Sequence, residues 1–258
     1  MLAHPDDETF MIGGTAARLA GAGHRVGLVC ATRGQAGSPG EPPLATRDEL
    51  PALRERELRE ACALLGIAPV LLLDHEDRHL AEADPATMRA HLVRVLRTER
   101  PAVVVTFDPA GLNGHPDHVA IGRFALDAVT AAADPRYAPE LGDAHRVRRV
   151  VWPAPVLPAD EWRPAVLAEH WGVDYLVDVA AVRDRKTAAL RAHRSQHRSV
   201  DRVWLGEPLA RSAGAVLDVE VFRHGWGEAP TQRPADDLFA GLDDLTSVAG
   251  DSGVGPRP

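Results

Sequence analysis

The placing of apolar residues constrains the fold most. Short runs rich in Val and Leu recur along the chain, with amphipathic stretches between them. Arg25–Thr32 (RVGLVCAT), Val70–Asp74 and Val103–Asp108 are such runs. Apolar runs of this length are typical of strands covered on both faces, as in a parallel sheet. Thr46–Leu65, with Pro51 early in it, Ala86–Glu99 and His118–Ala132 read as helices between or after them. Val147–Trp152 and Tyr175–Val179 add strands, and Val182–His197 a further helix. This alternation predicts an α/β fold: a Rossmann-like, doubly wound, mostly parallel sheet in three α/β/α layers.

With 258 residues the chain can bury a sizeable core, and one domain is the simplest count. Residues 1–227 are assigned to it. The tail 228–258, rich in Gly, Pro and Asp, is expected to be disordered apart from Leu238, Phe239, Leu242 and Leu245. Met1–Ala3 is only a stub of strand before Thr9–Ala22, which looks helical. A central strand this short predicts either a start further upstream or a truncated first strand.

Charge narrows the partners. A net charge of −8 argues against nucleic acid or an anionic membrane surface. No apolar run is long enough to span a bilayer, and the acidic N-terminus does not read as a signal peptide. Two cysteines, Cys30 and Cys62, make no disulfide framework, which suits a reducing cytoplasm. Homo-oligomerisation is left open.

Two clusters carry chemistry. The opening MLAHPDDETF sets His4 beside Asp6, Asp7 and Glu8, and Asn113–His118 (NGHPDH) repeats the theme with His115, Asp117 and His118. Each is predicted between the C-terminal end of a strand and the start of a helix. In a doubly wound sheet that edge binds ligands, where strand order reverses. If the two strands are neighbours there, the clusters meet. His4, His118 and one carboxylate of the first cluster would then form a two-histidine, one-carboxylate set with an open fourth position, the pattern of catalytic zinc. The neighbouring carboxylate could take a proton from water. His115, oriented by Asp117, could stabilise an oxyanion as imidazolium and protonate a leaving nitrogen. Helix capping would account for one Asp per helix but not for three histidines.

These stretches also carry a resemblance. AHPDDE near the N-terminus, TRGQAG at 32–37, GHPDH at 114–118 and KTAALRAHRSQ at 186–196 are similar to the PIG-L/LmbE-like family of zinc-dependent N-deacetylases. The similarity spans roughly residues 1–200 in order, and paired His-Pro-Asp motifs are specific. Members remove acetyl groups from amino-sugar conjugates. They include the GlcNAc-phosphatidylinositol enzyme and deacetylases of mycothiol and bacillithiol metabolism.

The resemblance implies zinc on His4, Asp7 and His118, a set that Fe²⁺ also tolerates. It implies Asp6 as general base and His115 with Asp117 at the oxyanion and leaving group. It places Asp77 in a substrate-facing loop, accepting hydrogen bonds from sugar hydroxyls. The implied substrate is a small N-acetylated sugar conjugate. Asn113 departs from members that carry tyrosine there.

Softer features complete the reading. Arg33 leaves the second strand on the active edge and could bind substrate oxygens, or else form a surface salt bridge. Gly34–Pro51 is long for a strand–helix connection and reads as a lid. Trp152 and Trp162 could stack a sugar face or simply pack. His193 and Gln196 lie on one helical side and could brace the site. His75-Glu76-Asp77-Arg78-His79 matches H-E-x-x-H, but that metalloprotease motif works only within a helix, and this one follows a strand. The rival from another class is a non-catalytic sugar- or nucleotide-binding α/β module. Such a module needs neither base nor acid beside an open metal.

Overall fold

The computed structural model describes residues 1–154, 164–169, 172–212 and 214–242. The expected Trp162 and Leu245 lie outside them. Among the described residues six strands form a two-stranded and a four-stranded sheet, and one strand of the larger sheet runs antiparallel to its neighbours. β1 (Leu28–Thr32) pairs in parallel with β2 (Val70–His75). β3 (Val103–Val105) pairs in parallel with β4 (Arg149–Pro153). β5 (Tyr175–Asp178) and β4 flank β6 (Val219–Gly227), which runs antiparallel to both. The first residues join the two parts. Leu2 bridges Cys30 in parallel, and the Met1 ammonium donates to the Val105 carbonyl at 2.8 Å.

β1 is buried along its whole length, as its unbroken apolar run predicted. β6 was not expected. Its first four residues are all buried, among them Glu220, a carboxylate that pairs with Lys186 at 3.0 Å. Glu220 also accepts the Gly14 and Thr15 amides.

The main helices are α1 (Asp7–Gly21), α2 (Leu50–Leu65), α3 (Pro85–Glu99), α4 (Pro116–Ala133) and α5 (Arg183–Ala192). α1, α2 and α5 pack together, and α3 packs on α4. Local signals set their ends. α2 stops at Gly66, whose φ of 78° suits a glycine C-cap. Asp84 caps α3 by accepting the Thr87 amide at 2.7 Å, with Pro85 in the first turn. α5 is shorter than its amphipathic pattern. It ends at Ala192 because His193 turns inward to Glu8 and Ser195 donates to Glu57 through its amide and hydroxyl.

The stretch after β6 is not disordered as far as Leu242. Ala235 bridges Tyr175, Leu238 and Leu242 are buried, and the Arg149 guanidinium donates to the Leu238 and Ala240 carbonyls. Among the described residues no helix is long and apolar enough to cross a membrane.

Candidate metal and catalytic site

Parallel strands deliver their C-terminal ends to one edge, and the two motifs meet there. His4 follows the bridge at Leu2. Asp77 follows β2. The chain after β3 runs through the turn Gly111–Gly114 into α4, which begins at Pro116.

One donor set joins the two motifs: Nδ1 of His4, Nε2 of His118 and the Asp7 carboxylate. The nitrogens are 3.3 Å apart, His118 Nε2 is 3.4 Å from Asp7 Oδ1, and His4 Nδ1 is 3.7 Å from Asp7 Oδ2. A tetrahedral ion with ligands at about 2.0–2.1 Å separates neighbouring donor atoms by about 3.3 Å. The set fits a divalent cation on that ground and on its chemistry, two imidazoles and a carboxylate. Two other groupings bring their ligand atoms within 4.8 Å of one another, His4 with His115 and His118, and His4 with Asp77 and Asp117. Asp117 uses both carboxylate oxygens on the Arg78 and Leu80 amides, whereas the amides that Asp7 accepts fall on Oδ2 and its Oδ1 faces His118.

The surroundings orient each donor. His118 Nδ1 lies 3.2 Å from the Gly111 carbonyl, which assigns its proton there and leaves Nε2 free as a ligand atom. Phe107 stacks on the His118 ring at 3.8 Å between centroids. His4 Nε2 faces Asp117 at 3.2 Å and Asp77 at 3.3 Å, the carboxylate partner typical of a metal-binding histidine. Asp7 Oδ2 accepts the His4 amide at 2.8 Å and the Ala3 amide at 3.1 Å.

Charge is concentrated here. Burial disfavours the His4 imidazolium, but the bonds from Asp117 and Asp77 outweigh it, and the His4 pKa is raised to about 10. Burial opposes the Asp7 carboxylate too, yet His118 and His4 hold its pKa below the usual range. The site therefore attracts positive charge. Asp6 behaves oppositely. Burial raises its pKa to about 6 against the pull of Arg54, and the neighbouring Asp7 adds to the rise.

Asp6, Asp7, His4, His115, His118 and Asp77 all line one cavity of about 780 Å³. Asp117 is buried behind His4. Two expectations need correction. Asp117 does not orient His115: its carboxylate turns to His4 and to the amides of Arg78 (2.6 Å) and Leu80 (3.2 Å). Instead, His115 Nδ1 accepts the Asp117 amide at 3.2 Å and caps α4. Nor is His115 poised as imidazolium, since burial and the nearby His4 and His118 lower its pKa.

Arg33 does not reach the cavity; it pairs with Glu55 and Asp74. The H-E-x-x-H stretch is no helix. His75 ends β2, and His79 pairs with Glu82 at 3.0 Å on the surface. Trp152 is half-buried against the core rather than in the cavity. Ala36, Gly37 and Gln196 do line the cavity, the first two from the expected lid.

Sequence reasoning missed Arg54. It is buried under that loop, pairs with Asp6 at 3.2 Å, and donates to the carbonyls of Gly34 and Pro5. A Cβ on Gly34 would meet its Nη1 at 2.1 Å, so glycine is required there. The available signal was a charge on the buried stripe of α2, beside Leu50, Leu58 and Ala61. Glu8 was named in the first cluster but given no role. It accepts from His193 at 2.6 Å and from the Asp6 amide at 3.1 Å, so His193 braces the site through it.

An α/β fold with a histidine–aspartate cluster at its strand ends defines a class: α/β proteins with a candidate metal site open to a cavity. The particular family follows from comparison. Residues 1–129 match the PIG-L family, described as GlcNAc-PI de-N-acetylase, and the chain belongs to it. A 1D-myo-inositol 2-acetamido-2-deoxy-alpha-D-glucopyranoside deacetylase of Geodermatophilus obscurus is 38% identical, over 93% of this chain and 96% of its own. The fold resembles N,N'-diacetylchitobiose deacetylase from Pyrococcus horikoshii, with a TM-score of 0.68 and 25% identity over 87% of this chain and 81% of that one. It also resembles the conserved protein TT1542 from Thermus thermophilus, with a TM-score of 0.67 and 29% identity over 88% and 93% of the two chains.

Proposed function

We propose that this protein is a metal-dependent N-deacetylase that hydrolyses the acetamide of a glucosamine–inositol conjugate, the compound its relatives' names specify. The observation that carries the reading is the junction of the two motifs. A cation-ready set of His4, Asp7 and His118 stands beside Asp6, a half-buried carboxylate whose pKa is raised to about 6. Zinc is the proposed ion and Fe²⁺ the alternative. When bound, it supplies Lewis acidity to a water and to the amide carbonyl.

The chain's own groups do the rest. Asp6 accepts the proton of the attacking water, held in place by Arg54. The water oxygen bonds to the carbonyl carbon. Neutral His115, with Nδ1 occupied by the Asp117 amide, donates its Nε2 proton in a hydrogen bond to the carbonyl oxygen as charge develops there. The C–N bond breaks, and the proton held by Asp6 passes to the departing amine. Asp77 keeps lone pairs beyond those used by His4 and Ala36, enough to accept a sugar hydroxyl. We place the enzyme in the cytoplasm, which free, buried Cys30 and Cys62 support.

The test is acetate release from the glucosamine–inositol conjugate by zinc-loaded protein, with metal content measured on the same sample. About one metal per chain and stoichiometric acetate and amine are expected. A metal-loaded protein that releases no acetate would overturn the reading.

A further inference from the structure

A single stretch after α5 carries three polar side chains into the cavity. Residues 194–205 wind as consecutive helical turns: Arg194–Gln196 is 3-10, His197–Val200 is α and Asp201–Leu205 is π. Gln196, Ser199 and Arg202 recur three apart, so they share a face, and all three line the cavity. The other face buries Val200 and Trp204, four apart. The π turn is a form that concentrates at functional sites.

Both ends of this stripe are held. Gln196 Nε2 donates to the Ser38 carbonyl at 2.8 Å, which ties the stripe to the loop after β1. Trp204 packs under the Lys186 ammonium, 4.4 Å from the ring centroid, and edge-to-face with Phe10 at 6.2 Å. Between these anchors, the Ser199 hydroxyl and the Arg202 guanidinium have no hydrogen bond or ion pair among the described residues. Their donors are open to a ligand. At about 780 Å³ the cavity has room for more than one sugar-sized ring.

We propose that Ser199 and Arg202 form the subsite for a polyhydroxylated aglycone, the inositol ring of the conjugate, with Arg202 as the specificity-determining residue. A guanidinium presents its donors in a planar fork, which suits the oxygens of two neighbouring ring hydroxyls. The Ser199 hydroxyl donates to or accepts from a third. The carboxylates of Asp6, Asp7 and Asp77 line the same cavity, so a neutral polyol is favoured over an anionic substituent. The inference rests on the deacetylase reading for the orientation of the substrate, with its acetamide at the metal.

The experiment separates the two. Acetate release by zinc-loaded protein is compared for the N-acetylated glucosamine–inositol conjugate and for the methyl glycoside of N-acetylglucosamine. Dissociation constants of both are measured calorimetrically in the Asp6→Asn background, where turnover is slow. Arg202→Met keeps the side-chain stem and removes the donors. It should lower kcat/KM for the conjugate, relative to the methyl glycoside, by about tenfold or more, through KM, and shift the ratio of dissociation constants alike. Arg202→Lys should recover part of the loss, and Ser199→Ala should lower the ratio by about threefold. Ratios within about twofold of the parent in both Arg202→Met and Ser199→Ala, or equal losses on the two compounds, would overturn the subsite. Tighter binding of a phosphate monoester of the conjugate than of the conjugate itself would also overturn it, by making Arg202 an anion site. The expected shift in dissociation constants, without acetate release from either compound by the zinc-loaded parent, would leave the subsite standing and sink the deacetylase reading.

Discussion

Asp6→Asn is the most informative substitution in this chain. Asp6 and Asp7 are adjacent carboxylates with different surroundings. Asp7 faces His118 and His4, whereas Asp6 faces Arg54 and the cavity. Asn preserves the shape, tolerates the φ of 130° at this position, and can still accept from Arg54. It cannot take a proton at neutral pH. No donor atom of the proposed ligand set is altered, so metal content should stay at the parent level. With general-base catalysis removed, kcat should fall by about 10²–10⁴-fold, or about 2.7–5.4 kcal/mol of barrier.

The pH dependence adds an independent check. Asp6, at about 6, serves as base only when deprotonated, so parent activity should fall as pH drops through that value. The residual activity of Asp6→Asn should lack this limb. The assay is initial-rate acetate release from pH 5 to 9, on samples whose metal is quantified by mass spectrometry. Turnover within about threefold of the parent, with metal retained, would show that the base lies elsewhere, because no positioned base is worth so little.

Other perturbations separate neighbouring roles. His118→Ala should lose the metal and activity together, whereas His75→Ala and His79→Ala should keep full metal content; elemental analysis of the three reads this directly. Arg54→Met removes the cation that holds down the Asp6 pKa, so the acid limb of the pH–rate profile should move to higher pH. Arg54→Lys should restore part of that shift, as measured by kcat/KM across the same range.

Legibility in the sequence followed the physics of burial. β1 and the helices α3 and α4 were readable because their apolar spacing answers to a single environment along their length. β6 was not, because its core face includes Glu220, and a charge there makes sense only once Lys186 arrives from α5. The motif residues were legible as a set, since histidines and carboxylates in matching strand–helix junctions have few other uses. Their division of labour was less so. Asp117 was expected behind His115, but α4 starts with His115 as its cap, and that geometry sends the next carboxylate toward the amides of Arg78 and Leu80. Arg54 had a visible signal, a charge on a buried helical stripe. Its partner Asp6 lies 48 positions away, as their numbers show, so only the fold could reveal the pair.

Backbone strain gathers around this cavity. Six described non-glycine residues have positive φ, and three of them, Asp6, Arg78 and Leu112, line it. Such conformations cost about 1–3 kcal/mol each, which is large beside a total stability of about 5–15 kcal/mol. Each is held by its own anchor. The Asp6 carbonyl accepts the Thr9 and Phe10 amides while its carboxylate meets Arg54. Arg78 donates its amide to Asp117, and Leu112 donates its amide to Asp108 at 2.8 Å. The anchors and the chemistry share residues. Asp117 both holds Arg78 in its strained turn and faces His4, so the loop that carries Asp77 and the histidine proposed as ligand are fixed by one carboxylate. Loosening that loop therefore loosens the His4 ring, which ties the outer wall of the cavity to the geometry of its floor.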